Sequence, residues 1–355
     1  MSDRNLAQRR DLRPGGRTDL GVDLGVDLSV DLGFGRVLPN PLMTASGCAA
    51  NGVELHRFFD VSELGAFVTK SVMADPRSGR GTPRMAETPS GMLNSIGLQG
   101  PGIAAFVDKD LPWLASVGAR VLPSIAGSSS TEFAHVAATL SASRSFGAVV
   151  GVEVNISCPN VANRGLVFAC DPLASAKVIA LVREQLPRDV PVFAKLSPDV
   201  TDITAIAAAC VKAGADGLTM INTLLGMVID TDLMRPHLGG VTGGLSGPGI
   251  RPVAVRAIWQ VRQAMAEGRI PVVPIIGVGG VRTGRDALEL VAAGASAVQV
   301  GTATFNDPTA PVRVLHELTD LLVDKGYERF SDVVGAAHGS PLPPRPAPID
   351  DEARA

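Results

Sequence analysis

Aromatic side chains make up only 4% of this 355-residue chain, and cysteine occurs four times. So few rings leave no platform for stacking nucleic-acid bases. The cysteines, at 48, 158, 170 and 210, form no Cys-x-x-Cys pair or other metal-ligand spacing, so no metal and no iron–sulfur cluster is expected on the chain itself. Charge of one sign is also lacking: 32 basic and 35 acidic residues are spread along the sequence, with a formal net of −3, and no basic stripe marks a nucleic-acid or anionic-lipid partner. No apolar run approaches the ~18 residues of a membrane span. The N-terminus, with Asp3, Arg4, Arg9 and Arg10, lacks the apolar stretch of a secretory signal, so a cytoplasmic protein is expected. No Gly-x-Gly-x-x-Gly opens a helix after a strand, which argues against a Rossmann dinucleotide unit.

What is present is a 46% hydrophobic composition, enough to bury one large core. Residues 1–28 hold an Asp-Leu-Gly-Val repeat that as a helix would stack aspartates and place a glycine in every turn, so they are read as a disordered tail. Val30, Leu32, Val37 and Leu38 flank Gly33-Phe34-Gly35 and predict a short hairpin. The proline-rich end, residues 336–355, is read as a second disordered tail. Between them, a catalytic domain over 29–335 is expected. Strand-like runs at 41–46, 66–70, 121–125, 149–156, 192–196, 217–221, 272–276 and 297–300 alternate with helix-length segments at 54–64, 101–117, 131–146, 172–187, 201–213, 251–267, 283–293 and 309–325. Eight such repeats predict an α/β fold, the (β/α)8 TIM barrel, with active-site groups at the C-terminal strand ends. The long connections 71–100 and 222–249 leave those same ends and can roof them over.

The residues at or beyond the strand ends are Ser46, Lys70, Ser124, Asn155, Lys195, Asn222, Gly279 with Gly280, and Gly301 with Thr302. Taken singly, a strand-end lysine is usually solvated and an asparagine usually a turn residue; together they mark one face. Glycines after the seventh and eighth strands let backbone N–H groups approach phosphate oxygens, pointing to a phosphorylated ligand such as flavin mononucleotide. Lys70 and Lys195 close apolar runs and need partners. At least one is expected to serve a flavin, whose reduced form is an anion that a fixed cation stabilises.

A free cysteine is most often a small buried hydrophobe, and Cys48, Cys170 and Cys210 are read that way. Cys158 differs. It sits in Asn155-Ile156-Ser157-Cys158-Pro159-Asn160, on a loop leaving the fourth strand, between two carboxamides. With no histidine at a strand end, it is the leading candidate for a general base. Its ordinary pKa of about 8.5 would need modest lowering or substrate binding to supply thiolate.

The segments Ala45-Ser46-Gly47, Thr69-Lys70-Ser71, Asn94-Ser95-Ile96-Gly97-Leu98, Asn155 to Asn160, Lys195-Leu196-Ser197-Pro198, Ile221-Asn222-Thr223, Gly243 to Pro248 and Val300-Gly301-Thr302 resemble class 1 dihydroorotate dehydrogenases in unbroken order from about Val30 to Gly335. The resemblance implies FMN-dependent oxidation of (S)-dihydroorotate to orotate in pyrimidine (UMP) synthesis. By the same resemblance, Cys158 would take a proton from C5 while a hydride passes from C6 to the flavin N5. Asn94, Asn155, Asn160 and Asn222 would hold the substrate, with Ser95, Ile96, Gly97, Leu98 and Thr223 beside them, and Lys70 would touch substrate and flavin. The FMN contacts it implies are Ser46, Lys70, Ser71, Asn155, Lys195, Ile221, Gly247, Gly279, Gly280, Gly301 and Thr302. Ser124 stands where relatives commonly have asparagine, and its shorter hydroxyl is expected to reach the flavin only through water.

Asn160 to Gly165 with Asp171-Pro172, and Thr223 to Met227 with Ile229-Asp230, are more similar to the B type. That type implies a homodimer core in a heterotetramer with a partner subunit carrying FAD and a [2Fe-2S] cluster, which passes electrons to NAD. The alternatives are an A-type homodimer using fumarate, the related barrel of dihydropyrimidine dehydrogenases, and a flavin-binding protein without turnover.

Overall fold

Proline sets the limits of the strands, because it cannot donate to a ladder. In the computed structural model, which describes residues 25–157, 170–339 and 342, the barrel strands are Leu42–Thr44, Phe67–Val68, Val121–Leu122 continued by Ser124–Ile125, Val152–Asn155, Val192–Leu196, Gly217–Met220, Ile275–Val278 and Ala297–Val300. Pro41 and Pro191 immediately precede two of them, and Pro123 splits the third. The seventh strand, expected at 272–276, instead begins after Pro274, whose carbonyl accepts from the Leu218 N–H at 3.0 Å. Gly279 and Gly280 therefore follow its last residue directly.

The ring closes as a (β/α)8 barrel. Seven strands form one parallel sheet in the order first, eighth, seventh, sixth, fifth, fourth, third. The second strand pairs with the third (Phe67↔Val121) and meets the first through a bridge between Met43 and Ala66. Side chains stitch this last seam. The Thr44 hydroxyl accepts from the Val68 N–H at 2.9 Å and donates to the Val68 carbonyl at 3.0 Å. Below it, Asn40 Oδ1 accepts from the Leu42 and Gly65 N–H groups at 3.1 and 2.9 Å.

Helices follow the strands close to their expected positions. Pro172–Gln185 starts where Asp171 accepts from Leu173 and Ala174 N–H, Ile203–Lys212 where Asp202 accepts from Thr204 and Ala205, and Gly284–Ala292 at a Thr283/Asp286 capping box. The first crossover departs from expectation. In place of a helix over 54–64 there are two 3-10 turns, Leu55–Arg57 and Val61–Glu63, because Asp60 caps Ser62 N–H and starts a new turn.

Val30–Asp31 and Val37–Leu38 form the expected hairpin, with Leu32 and Leu38 buried and Arg36 paired to Asp189 at 2.6 Å, below the fifth strand. The ordered body passes both expected tail boundaries. Asp27 N–H donates to Glu328 O, and at the other end Ala336–His338 forms a 3-10 turn in which the His338 ring stacks on Trp259 at 3.6 Å. The tail readings for 1–24 and 343–355 fall outside the described residues. No helix among the described residues is long and apolar enough to cross a membrane.

Thr44→Val should leave the buried Val68 N–H and C=O both unpaired at the barrel seam. The expected cost is about 2–4 kcal/mol, at roughly 1–3 kcal/mol per unsatisfied group, read as a lower urea midpoint with an unchanged slope.

Candidate active site

The second and third strands lose their ladder together just below the rim. Pro123 offers no N–H, so pairing stops after Val68↔Leu122 and resumes only at Val72↔Ile125. The gap is filled by Thr69, whose hydroxyl accepts from the Ser124 N–H at 3.2 Å. Freed from the ladder, Lys70 and Ser71 border a cavity at the C-terminal strand ends.

On the fourth strand Glu153 and Asn155 share the inward face, two residues apart. Asn155, at the upper level, joins a chain of polar side chains. Ser124 Oγ and Ser71 Oγ are 2.9 Å apart, Asn155 Nδ2 donates to Ser71 Oγ at 3.0 Å, Ser157 Oγ donates to Asn155 Oδ1 at 3.0 Å, and Asn222 Nδ2 donates to Ser157 Oγ at 2.7 Å. Asn222 Oδ1 then accepts from the Thr223 N–H at 2.8 Å. This network fixes the carboxamides on one side of the cavity. One level down, Glu153 is fully buried, 3.2 Å from Lys195 Nζ and 2.8 Å from Gln299 Nε2. Removing one partner of such a buried pair typically costs about 3–5 kcal/mol.

Gly279 and Gly280 also border the cavity. A Cβ on Gly279 would lie 2.9 Å from the Ala254 Cβ, and one on Gly280, at φ +77°, would lie 2.6 Å from the Arg251 Cβ. Above, the two long connections form one antiparallel sheet ordered Leu224–Gly226, Gly243–Ser246, Gly91–Asn94, Met85–Thr88, with Leu93, Ala86 and Leu238 as its own small apolar cluster. The roof expected from the sequence thus exists, as strands rather than loops. It carries Asn94 and Gly247 to the cavity, whose volume is about 860 Å³.

The family model described as Dihydroorotate dehydrogenase matches residues 29–322. Among curated relatives, the protein named dihydroorotate dehydrogenase B (NAD(+)), catalytic subunit, of Geobacter sp. (strain M21) is 48% identical over 297 residues, covering 84% of this chain and 94% of that protein. The proteins of the same name from Geobacter sulfurreducens and Geobacillus kaustophilus are 47% and 48% identical, covering 85% of this chain and 95% and 93% of their own lengths. The chain belongs to the dihydroorotate dehydrogenase family. The relatives' name, catalytic subunit, describes proteins that work with a further subunit.

This family is flavin-dependent, and the residues present fit a flavin. Gly279 and Gly280, at φ +136° and +77°, border the cavity with no side chain between backbone and ligand space, and the volume falls within the range of ligand sites. Lys195 borders the cavity with two of its three donors turned to Glu153 and, at 3.4 Å, to Ser46 Oγ.

Most residues expected from the sequence meet around this cavity: Ser46, Lys70, Ser71, Asn94, Ile96, Gly97, Leu98, Asn155, Lys195, Ile221, Asn222, Thr223, Gly247, Gly279, Gly280, Gly301 and Thr302. Two do not. Ser124 is fully buried behind Ser71, so the short hydroxyl props a wall residue and does not itself border the cavity. Ser95 is also fully buried, on the far side of its segment from Asn94 and Ile96, and packs toward Gly240, as alternation requires. Cys158 and Asn160 lie outside the described residues. Glu153 and Gln299 escaped the sequence reading, although a charge inside the apolar run 149–154 is the same signal that singled out Lys195.

The other cysteines are not uniformly buried. Cys210 is, Cys170 is exposed, and Cys48 borders the cavity. Burial pushes the Cys48 thiol up to about 11 against the pull of Lys195 and Lys70, and pushes Cys210 up to about 12. At pH 8 the Cys48 thiol therefore stays protonated. Iodoacetamide on the native protein at pH 8 should label Cys170 well ahead of Cys48 and Cys210, as read by peptide mass spectrometry.

Proposed function

We propose that this protein oxidises (S)-dihydroorotate to orotate in pyrimidine synthesis, with FMN held in the barrel-top cavity. The observation that carries this reading is the meeting of Lys70, Lys195, Asn94, Asn155, Asn222 and the Gly279-Gly280 pair on one cavity, in a chain of this family. The phosphate end of the cofactor is assigned to Gly247, Gly279, Gly280, Gly301 and Thr302, where backbone can approach closely. Ser46, Lys70, Ser71, Asn155, Lys195 and Ile221 take the ring end, Lys195 with its remaining donor.

The substrate's amide and carboxylate edges are assigned to Asn94, Asn155, Asn160, Asn222 and Thr223, with Ile96, Gly97 and Leu98 shaping the pocket. Ser157 supports this assignment, because by occupying the Nδ2 of Asn222 and the Oδ1 of Asn155 it holds both amides in one orientation. Lys70 is assigned to both ligands. Cys158, one residue beyond Ser157, takes the C5 proton. FMN, when bound, supplies the acceptor for the hydride that leaves C6. The roof sheet excludes water and so strengthens each of these polar contacts.

The relatives' printed names carry NAD(+), which favours NAD over fumarate as final acceptor. We assign the chain to a homodimer core of a heterotetramer in the cytoplasm, with a partner subunit that bears FAD and a [2Fe-2S] cluster.

Purified protein is expected to be yellow and to bleach anaerobically on addition of dihydroorotate. Bound flavin that stays oxidised would exclude this substrate. Cys158→Ala should slow bleaching by about 10²-fold or more, as a positioned base contributes, while orotate still perturbs the flavin spectrum. Reduced protein should pass electrons to NAD only with the partner subunit present; rapid reoxidation by fumarate alone would reverse the acceptor assignment.

A further inference from the structure

Glu153 has no role in the reaction just described, yet it is a fully buried carboxylate in the middle of an apolar strand. Such a charge is costly unless it is paired and hydrogen-bonded, and a valine at the same inward position would pack without that cost. Both carboxylate oxygens are engaged, Oε1 by Lys195 Nζ at 3.2 Å and Oε2 by Gln299 Nε2 at 2.8 Å. The two partners stand on the fifth and eighth strands, so the contact spans the barrel interior. Gln299 Oε1 has no partner among the described residues, so the amide is oriented by Glu153 alone. Lys195 is 3% exposed and borders the cavity, which leaves its direction to be set by Glu153 below and Ser46 beside it.

We propose that Glu153, held by Gln299, is a positioning residue for Lys195: it aims the ammonium into the cavity and offsets part of its charge. This rests on the reading that the cavity holds FMN beside Lys195. A bare ammonium stabilises the anionic reduced ring more than an ammonium paired 3.2 Å away with a carboxylate does. The pair therefore keeps the flavin harder to reduce than the lysine alone would make it. That suits onward transfer to a nicotinamide, itself a weak oxidant.

The test is a redox-dye titration of the FMN in the holoprotein, comparing wild type with Glu153→Gln and Glu153→Asp. Glu153→Gln keeps the shape and removes the charge. It should retain FMN and raise the equilibrium constant for two-electron reduction at least tenfold, about 30 mV. Glu153→Asp, whose carboxylate is drawn back from Nζ, should move it the same way by less. An unchanged or lowered constant in Glu153→Gln overturns the proposal, even if thermal stability falls, since that combination is what a merely structural role produces. Should Glu153→Gln not fold, Glu153→Asp decides by the same criterion. Wild-type protein that binds no FMN would instead remove the reading of the cavity, before any variant is compared.

Discussion

Every strand of a closed parallel ring ends on the same face, and closure here rests on a narrow seam. The second strand is two residues long and meets the first mainly through the Thr44 hydroxyl and the Asn40 amide, which do the work of missing ladder bonds. Once the ring is closed at that seam, Ser46, Lys70, Asn155, Lys195 and Gly279 come together from segments far apart in the chain. The catalytic face is a consequence of topology before it is a consequence of any one side chain.

The same closure creates a difficulty inside the barrel, where polar groups have no water. It is met largely by pairing. Glu153 engages Lys195 and Gln299 across the interior with both carboxylate oxygens, and Ser124, Ser71, Asn155, Ser157 and Asn222 form a continuous chain above them. These two layers turn strand-end residues into groups with set directions. A lysine with two of three donors engaged, and amides with their hydrogen-bonding ends assigned, are prepared for a ligand at little further cost in side-chain entropy.

Much of this was legible in the chain. Alternation of apolar runs with helix-length segments located eight strands and seven helices, because fully buried parallel strands and capped amphipathic helices leave strong local patterns. The exceptions have local causes that pattern reading passed over: Pro274 delays the seventh strand, Pro123 divides the third, and Asp60 breaks the first crossover into two 3-10 turns. In the site, polar and glycine residues at strand ends marked the floor of the cavity, and the family resemblance added Asn94, Gly247 and their neighbours from the roof. Ser95 faces away from the cavity, and Ser124 faces it but stands behind Ser71; facing and depth both depend on register within a packed sheet. Glu153 was missed because a carboxylate below a strand end acquires meaning only when its partners are known, and they come from the fifth and eighth strands.

The sequence by itself determined the fold class, the face on which polar and glycine residues gather, and the likeness to one enzyme family, since each is carried by residues near one another in the chain. Only the tertiary structure decided that the two long connections join as a single roof sheet, that Ser124 stands behind Ser71, and that Lys195 answers to Glu153 and Gln299. The physical reason is the same in each case. Strand pairing, side-chain facing and buried charge compensation are relations between segments brought together by closure, and no local pattern encodes the partner.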